Sequence, residues 1–91
     1  MTKADIVRQI AESTGLTKTD VSMVVEGVLD VIRDALEQGD RIEIRKFGVF
    51  KVVERAARIA RNPRTGEEVP LPKRRAPVFV PSKHLRAQIE Q

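Results

Sequence analysis

Ninety-one residues, 41% hydrophobic, 33% charged and only 3% aromatic, allow one small domain with a thin aliphatic core. Cysteine is absent, which excludes disulfides and thiolate metal sites, so self-association is the remaining device for stabilising a chain this short. The net charge of +4 is unevenly divided: residues 1–40 carry four basic against eight acidic residues, net −4, while residues 41–91 carry thirteen against five, net +8. One half is suited to packing and solubility, the other to a polyanion. No apolar run approaches the ~18 residues of a membrane span, and Met1-Thr2-Lys3 opens directly into an amphipathic pattern without a signal peptide. The expectation is a soluble, intracellular protein with no membrane partner.

Thr2 predicts an N-cap with Asp5 three residues on, followed by Ile6, Val7, Ile10 and Ala11 at helical spacing. Gly15 should close that helix in the left-handed conformation, with Leu16 placed for the apolar contact that accompanies such a cap. The device then repeats, with Thr17 as N-cap, Asp20 three residues on, and a long helix to about Gln38 stopped by Gly39. On this second helix Val21, Val24, Val25, Val28, Leu29, Val31, Ile32, Ala35 and Leu36 fill an arc of about 160°, wider than the ~100° of a helix with one neighbour. The first helix has too short a stripe to cover it. A second copy of the same helix is the expected cover, giving an isologous twofold interface, with the chain's own sheet as the alternative.

After Gly39-Asp40 the hydrophobic period changes to two, and Arg41, Ile42, Glu43, Ile44 and Arg45 alternate as a half-buried strand. Phe47-Gly48-Val49-Phe50 is expected to turn the chain, with Gly48 as the sharp point. From Val52 to Arg75 the sequence then holds seven basic residues against three acidic ones, centred on Arg61-Asn62-Pro63-Arg64-Thr65-Gly66. Proline, asparagine and glycine there predict a reversal, so the stretch goes out and returns as a hairpin. Strand alternation would put Val53, Arg55, Ala57, Ile59 and Arg61 on one face of the outgoing limb and Val52, Glu54, Ala56, Arg58 and Ala60 on the other. Both faces mix cations with small apolar groups, and an isolated two-stranded hairpin is marginal in water. Such an arm needs a surface to lie on, and a nucleic-acid groove accepts guanidinium groups beside alanines.

The returning limb, Val69-Pro70-Leu71-Pro72, carries two prolines and belongs at an edge or bulge. Lys73, Arg74 and Arg75 lead back into a strand over Ala76-Pro77-Val78-Phe79-Val80, and Ser82 caps a short terminal helix, Lys83 to Glu90, with Leu85 and Ile89 on one face. The expected class is therefore α+β in the order α, α, β, β, β, α, as a single domain over residues 1–91.

These residues resemble the bacterial HU and integration host factor family. The similarity spans essentially the whole chain and is carried by the two capped helices, Phe47-Gly48-Val49-Phe50, and Glu54-Arg55-Ala56-Ala57-Arg58 followed by Arg61-Asn62-Pro63-Arg64-Thr65-Gly66. The resemblance implies an intertwined dimer with a helical dimerisation base (1–39), a saddle-shaped three-stranded sheet (40–81) whose long arms (about 52–75) wrap the minor groove of double-stranded DNA, and a terminal helix (82–91). It also implies that Pro63, at the arm tip, wedges between base pairs, a mode typical of this family. A nucleoid-associated, cytoplasmic protein follows, as a homodimer or as a heterodimer with a related chain. Three positions depart from the family pattern. Lys46 stands where glycine is usual, Ile59-Ala60 replace a polar or glycine pair, and Arg41 to Arg45 look more like the beta subunit of integration host factor than like HU.

Candidate phosphate and groove contacts are Arg55, Arg58, Arg61 and Arg64, with Asn62 beside the tip. Lys73, Arg74 and Arg75 at the arm's root, with Lys46, are expected to hold DNA on the saddle, and Lys83 and Arg86 to catch flanking phosphates. Charge runs are commonly just solvated faces, but a solvated arm needs no apolar lining. Base reading in the minor groove would be weak, because its acceptors are degenerate. That favours sequence-tolerant bending and compaction over the site-selective mode of integration host factor. Catalysis finds no support: His84 is the lone histidine, Glu67 and Glu68 are expected on opposite strand faces, and neither a nucleotide loop, a metal spacing, a cofactor motif nor a small-molecule site appears. An RNA-binding protein or a protein-interaction module remain as other classes, the first weakened by the scarcity of aromatics for stacking.

Overall fold

The structure, a computed structural model, describes residues 1–90 and forms two compact units, residues 1–34 and residues 35–91. The terminal segment expected over 82–91 reaches Gln91, which lies outside the described residues.

In the first unit, α1 (Lys3–Thr14) starts as its sequence demands. The Thr2 hydroxyl accepts from the Asp5 N–H, and the Asp5 carboxylate accepts from the Thr2 N–H at 2.8 Å, completing a capping box. Gly15, at φ 76, ends the helix and donates to the Ala11 carbonyl at 3.0 Å. Helix α2 (Lys18–Glu37) begins on the same principle, with the Asp20 N–H donating to the Thr17 hydroxyl. Ala11 and Val21 are the buried apolar residues, and a Lys3–Glu26 ion pair adds to them at the surface. Four of the nine residues of the long helix's apolar arc stay open in the single chain: Val24 is 65% exposed and Val31 67%, with Val28 and Leu29 close to half. Leu16, expected to pack against its cap, is also exposed.

The second unit holds the end of α2 and five strands: β1 (Ile42–Ile44), β2 (Gly48–Arg55), β3 (Arg58–Arg61), β4 (Glu68–Leu71) and β5 (Arg74–Pro81), followed by α3 (Lys83–Ile89). The first, second and fifth make an antiparallel sheet in the order β1-β2-β5, and β3 pairs with β4 in a separate two-stranded ribbon. Of the two prolines expected at an edge, Pro70 lies on the ribbon, where every strand is an edge, and Pro72 lies outside the strands; Pro77 is on outer strand β5. Ser82 caps α3 by accepting from the Leu85 N–H at 3.0 Å. Leu85 is half-buried, whereas Ile89 is exposed.

The turn between β1 and β2 differs from the expectation. Its sharp point is Lys46, at φ 67, in a tight turn closed by the Phe47 N–H donating to the Ile44 carbonyl, whereas Gly48 is already the first residue of β2. A third turn position with positive φ favours glycine, so lysine there costs about 1 kcal/mol. Gly48 is needed for another reason: a Cβ on it would stand 2.6 Å from the Phe79 ring and from the Val80 carbonyl oxygen. Its bare backbone lets the Phe79 ring lie across the strand, 4.9 Å from Phe50 and 5.3 Å from Phe47 by ring centroids.

Two outcomes test this description. Gly48→Ala forces the Phe79 ring or the Val80 backbone to move and should lower stability by about 1–3 kcal/mol, read as a lower urea midpoint at unchanged slope. Asp5 is held below the usual carboxylate range, first by the Thr2 backbone N–H and then by the Thr2 hydroxyl. Because the folded value is depressed, the capping box contributes fully above about pH 4 and is lost as pH falls through the lowered value. Amide exchange in the first turn of α1 should therefore be steady from neutral pH to about pH 5, once corrected for intrinsic rate, and accelerate in acid; Asp5→Asn should remove that transition.

Candidate nucleic-acid interface

The cationic stretch is one register with an interruption. Arg55 stands opposite Arg74 in the body sheet, and pairing resumes with Arg58 opposite Leu71 and Arg61 opposite Glu68. Between them Ala56-Ala57 and Pro72-Lys73 are unpaired, which splits the hairpin expected over 52–75 into four strands instead of two. Pro72 explains the interruption, since it has no N–H to give the ladder and restricts the residue before it.

The tip is built as its residue types demand. The Asn62 side chain accepts from the Arg64 N–H at 2.9 Å, its carbonyl accepts from Gly66, and its N–H donates to the Glu67 carbonyl, with Gly66 at φ 72. Pro63 is exposed at the end of this loop, while Asn62 is half-buried beneath it. Glu67 lies in the turn, not in a strand, and its N–H donates to the Thr65 hydroxyl. The opposed carboxylates of an expected strand are therefore absent.

Paired residues of an antiparallel ladder share a face, so Arg55 and Arg74 project side by side from one surface of the sheet, four positions beyond the Lys51–Val78 pair on the same surface. Directly opposed like charges repel, and among the described residues neither arginine has an ion-pair partner. Arg58 and Arg64 are also exposed and unpaired by that measure, but Arg61 turns back, pairing with Glu68 at 3.8 Å and reaching the Gly66 carbonyl at 3.4 Å. Lys73 is paired with Glu54 at 3.2 Å. On α3, Lys83 is exposed and Arg86 pairs with Glu90 at 3.5 Å; Lys46 is exposed at its strained turn.

The structure thus brings Arg55, Arg58, Arg74 and the tip into one hairpin. Lys46, Lys83 and Arg86 belong to other elements. Arg75 departs from its expected place among the free cations, because its guanidinium donates to the Leu36 and Glu37 carbonyls at the end of α2. Lys51 was missed by the sequence reading, although strict alternation with Arg55 in a continuous strand places it on the same face. Lys3, Arg8 and Lys18, three of the four cations of the acidic half, line one shallow groove within residues 1–34, where Lys3 pairs with Glu26 and Arg8 with Asp5. Helical spacing alone does not reveal that grouping. A face with adjacent unpaired guanidinium groups and little core can bind an extended polyanion; among the described residues no cluster of side chains could hold a metal ion.

Comparison with known proteins agrees with this chemistry. A model of the bacterial DNA-binding protein family matches residues 1–90. DNA-binding protein HU of Geobacillus stearothermophilus is 42% identical over 90 residues, covering 99% of this chain and 100% of that protein. Integration host factor subunit alpha of Anaeromyxobacter sp. (strain Fw109-5) is 44% identical over 86 residues, covering 94% of this chain and 87% of that protein. Among solved structures, an Anabaena HU–DNA cocrystal structure matches with a TM-score of 0.90 at 35% identity, covering 98% of this chain and 97% of that one. These relatives are DNA-binding proteins and not enzymes. With the family model spanning the chain and its motifs in the structural places they require, this chain belongs to the bacterial DNA-binding protein family of HU and integration host factor.

Proposed function

We propose that this protein is an architectural, histone-like DNA-binding protein that acts as a dimer on the nucleoid, in the cytoplasm, and bends and compacts double-stranded DNA with little sequence preference. The carrying observation is the Arg55–Arg74 pair, a like-charge contact in the free chain that a phosphate between the two guanidinium groups would turn into attraction. Arg58 and Arg64 extend the same chemistry toward the tip, and Arg61 joins them by exchanging its contacts to Glu68 and Gly66 for phosphate oxygens. Exposed Pro63 is suited to enter a partly unstacked base step, at a cost of a few kcal/mol offset by the added contacts of a bent duplex. Residues 1–39 serve as the dimerisation base, residues 40–81 as sheet and arm, and the terminal helix as a flank contact through Lys83 and Arg86. Support for the dimer comes from the open stripe on α2: burying Val24, Val28, Leu29 and Val31 against a second copy recovers several kcal/mol that the single chain forgoes.

The test is duplex affinity measured across salt concentration. Binding to B-DNA should weaken with a log-log slope of about −0.9 per phosphate neutralised, and Arg58→Ala should weaken all sequences alike and reduce the slope by about one. A flat salt response would point to a protein partner, and preference for duplex RNA would point to an RNA-binding role. One strongly favoured DNA sequence over nicked and four-way-junction DNA would indicate the site-selective mode. For the tip, Pro63→Ala should keep fold and dimer while reducing the bend reported by end-to-end fluorescence transfer; an unchanged bend would remove the wedge.

A further inference from the structure

Helix α2 ends with an electrostatic deficit that its own sequence does not repair. It has no basic residue in its last turn, which carries Asp34 and Glu37 instead, although the last carbonyls of a helix present partial negative charge and favour a cation. Its backbone closes as a complete Schellman motif: the Asp40 N–H donates to the Ala35 carbonyl at 2.9 Å and the Gly39 N–H to the Leu36 carbonyl at 3.0 Å, with Gly39 at φ 82. That leaves the Glu37 carbonyl and one lone pair of the Leu36 carbonyl open. Arg75 fills both, since its Nη2 lies 3.4 Å from each oxygen. The same nitrogen stands 3.4 Å from where a Cβ on Gly39 would be, so the guanidinium rests over the bare glycine.

Arg74 and Arg75 are neighbours on β5 and therefore project from opposite faces. Arg74 shares its face with Arg55, whereas Arg75 stands opposite Glu54 on the face that carries Phe50 and Phe79. We infer that Arg75 is a positioning residue: it ties the start of β5, where the arm leaves the body sheet, to the carbonyl end of α2, and it makes no phosphate contact. The basic run Lys73-Arg74-Arg75 thus divides its work by strand parity, with Arg74 as the cation offered to a ligand and Arg75 as the strut that fixes the arm's root.

The role rests in part on the proposed DNA binding, so the test has one limb without DNA and one with it. In the free protein, Arg75→Ala should accelerate exchange of the Gly39 and Asp40 amides by about fivefold, Arg75→Lys should restore part of the protection, and Arg74→Ala should leave both amides unchanged. In duplex titrations across salt, Arg74→Ala should reduce the log-log slope by about one, while Arg75→Ala should keep the wild-type slope even where affinity falls. A slope reduced by about one in Arg75→Ala would overturn the assignment, and so would unchanged exchange at Gly39 and Asp40. Failure of the wild-type protein to bind duplex would refute the proposed function alone, because the exchange measurement decides the strut without it.

Discussion

The packing of Phe50 and Phe79 over bare Gly48 fixes the register of the body sheet, and that register makes two arginines face each other across the ladder. The register that pairs Arg55 with Arg74 is not free to slip, because a shift of one residue would turn Phe50 and Phe79 away from each other and place a side chain where Gly48 admits none. The aromatic cluster therefore dictates the charge juxtaposition. Beyond it the ribbon of β3 and β4 has no sheet partner and no buried side chain, so it contributes little to the stability of the free chain. A ribbon of that kind is consistent with the proposed function, in which its stability is completed by a polyanionic ligand.

The helical half is incomplete in a complementary way. Only Ala11 and Val21 are buried among its described residues, and four large aliphatic side chains of α2 stand open. A chain of 91 residues without cysteine, and with no metal-binding cluster among its described residues, has few other means of covering them. Acidic charge on this half and basic charge on the other also direct a polyanion to one end of the sequence: a net −4 segment repels phosphate, and a net +8 segment attracts it.

What the sequence made legible was local. The caps at Thr2, Gly15, Thr17, Gly39 and Ser82 depend on residues within five positions of one another, and the tip at Asn62, Pro63 and Gly66 is determined by the same short-range chemistry. What stayed hidden was long-range or conformational. Gly48 attracted attention as a turn residue when its purpose is the approach of a ring 31 positions later, and the left-handed turn position suited to glycine is taken by Lys46, which was noticed only as a lysine where the resembled family usually has glycine. The interruption at Pro72 was visible as an edge signal but not as a division of both limbs. Arg75 was indistinguishable in composition from Arg74; only its contact with carbonyls 38 and 39 residues earlier separates them.

The proposed function requires duplex DNA to order the arm, and amide hydrogen exchange at Arg58, Ile59, Ala60 and Val69, with and without duplex DNA, tests it most directly. In the free protein these amides should exchange at close to unfolded-chain rates, and saturating DNA should slow them by at least about tenfold while the amides of α1 stay nearly unchanged. Strong protection of the arm before DNA is added, or no gain in protection when it is bound, would contradict it.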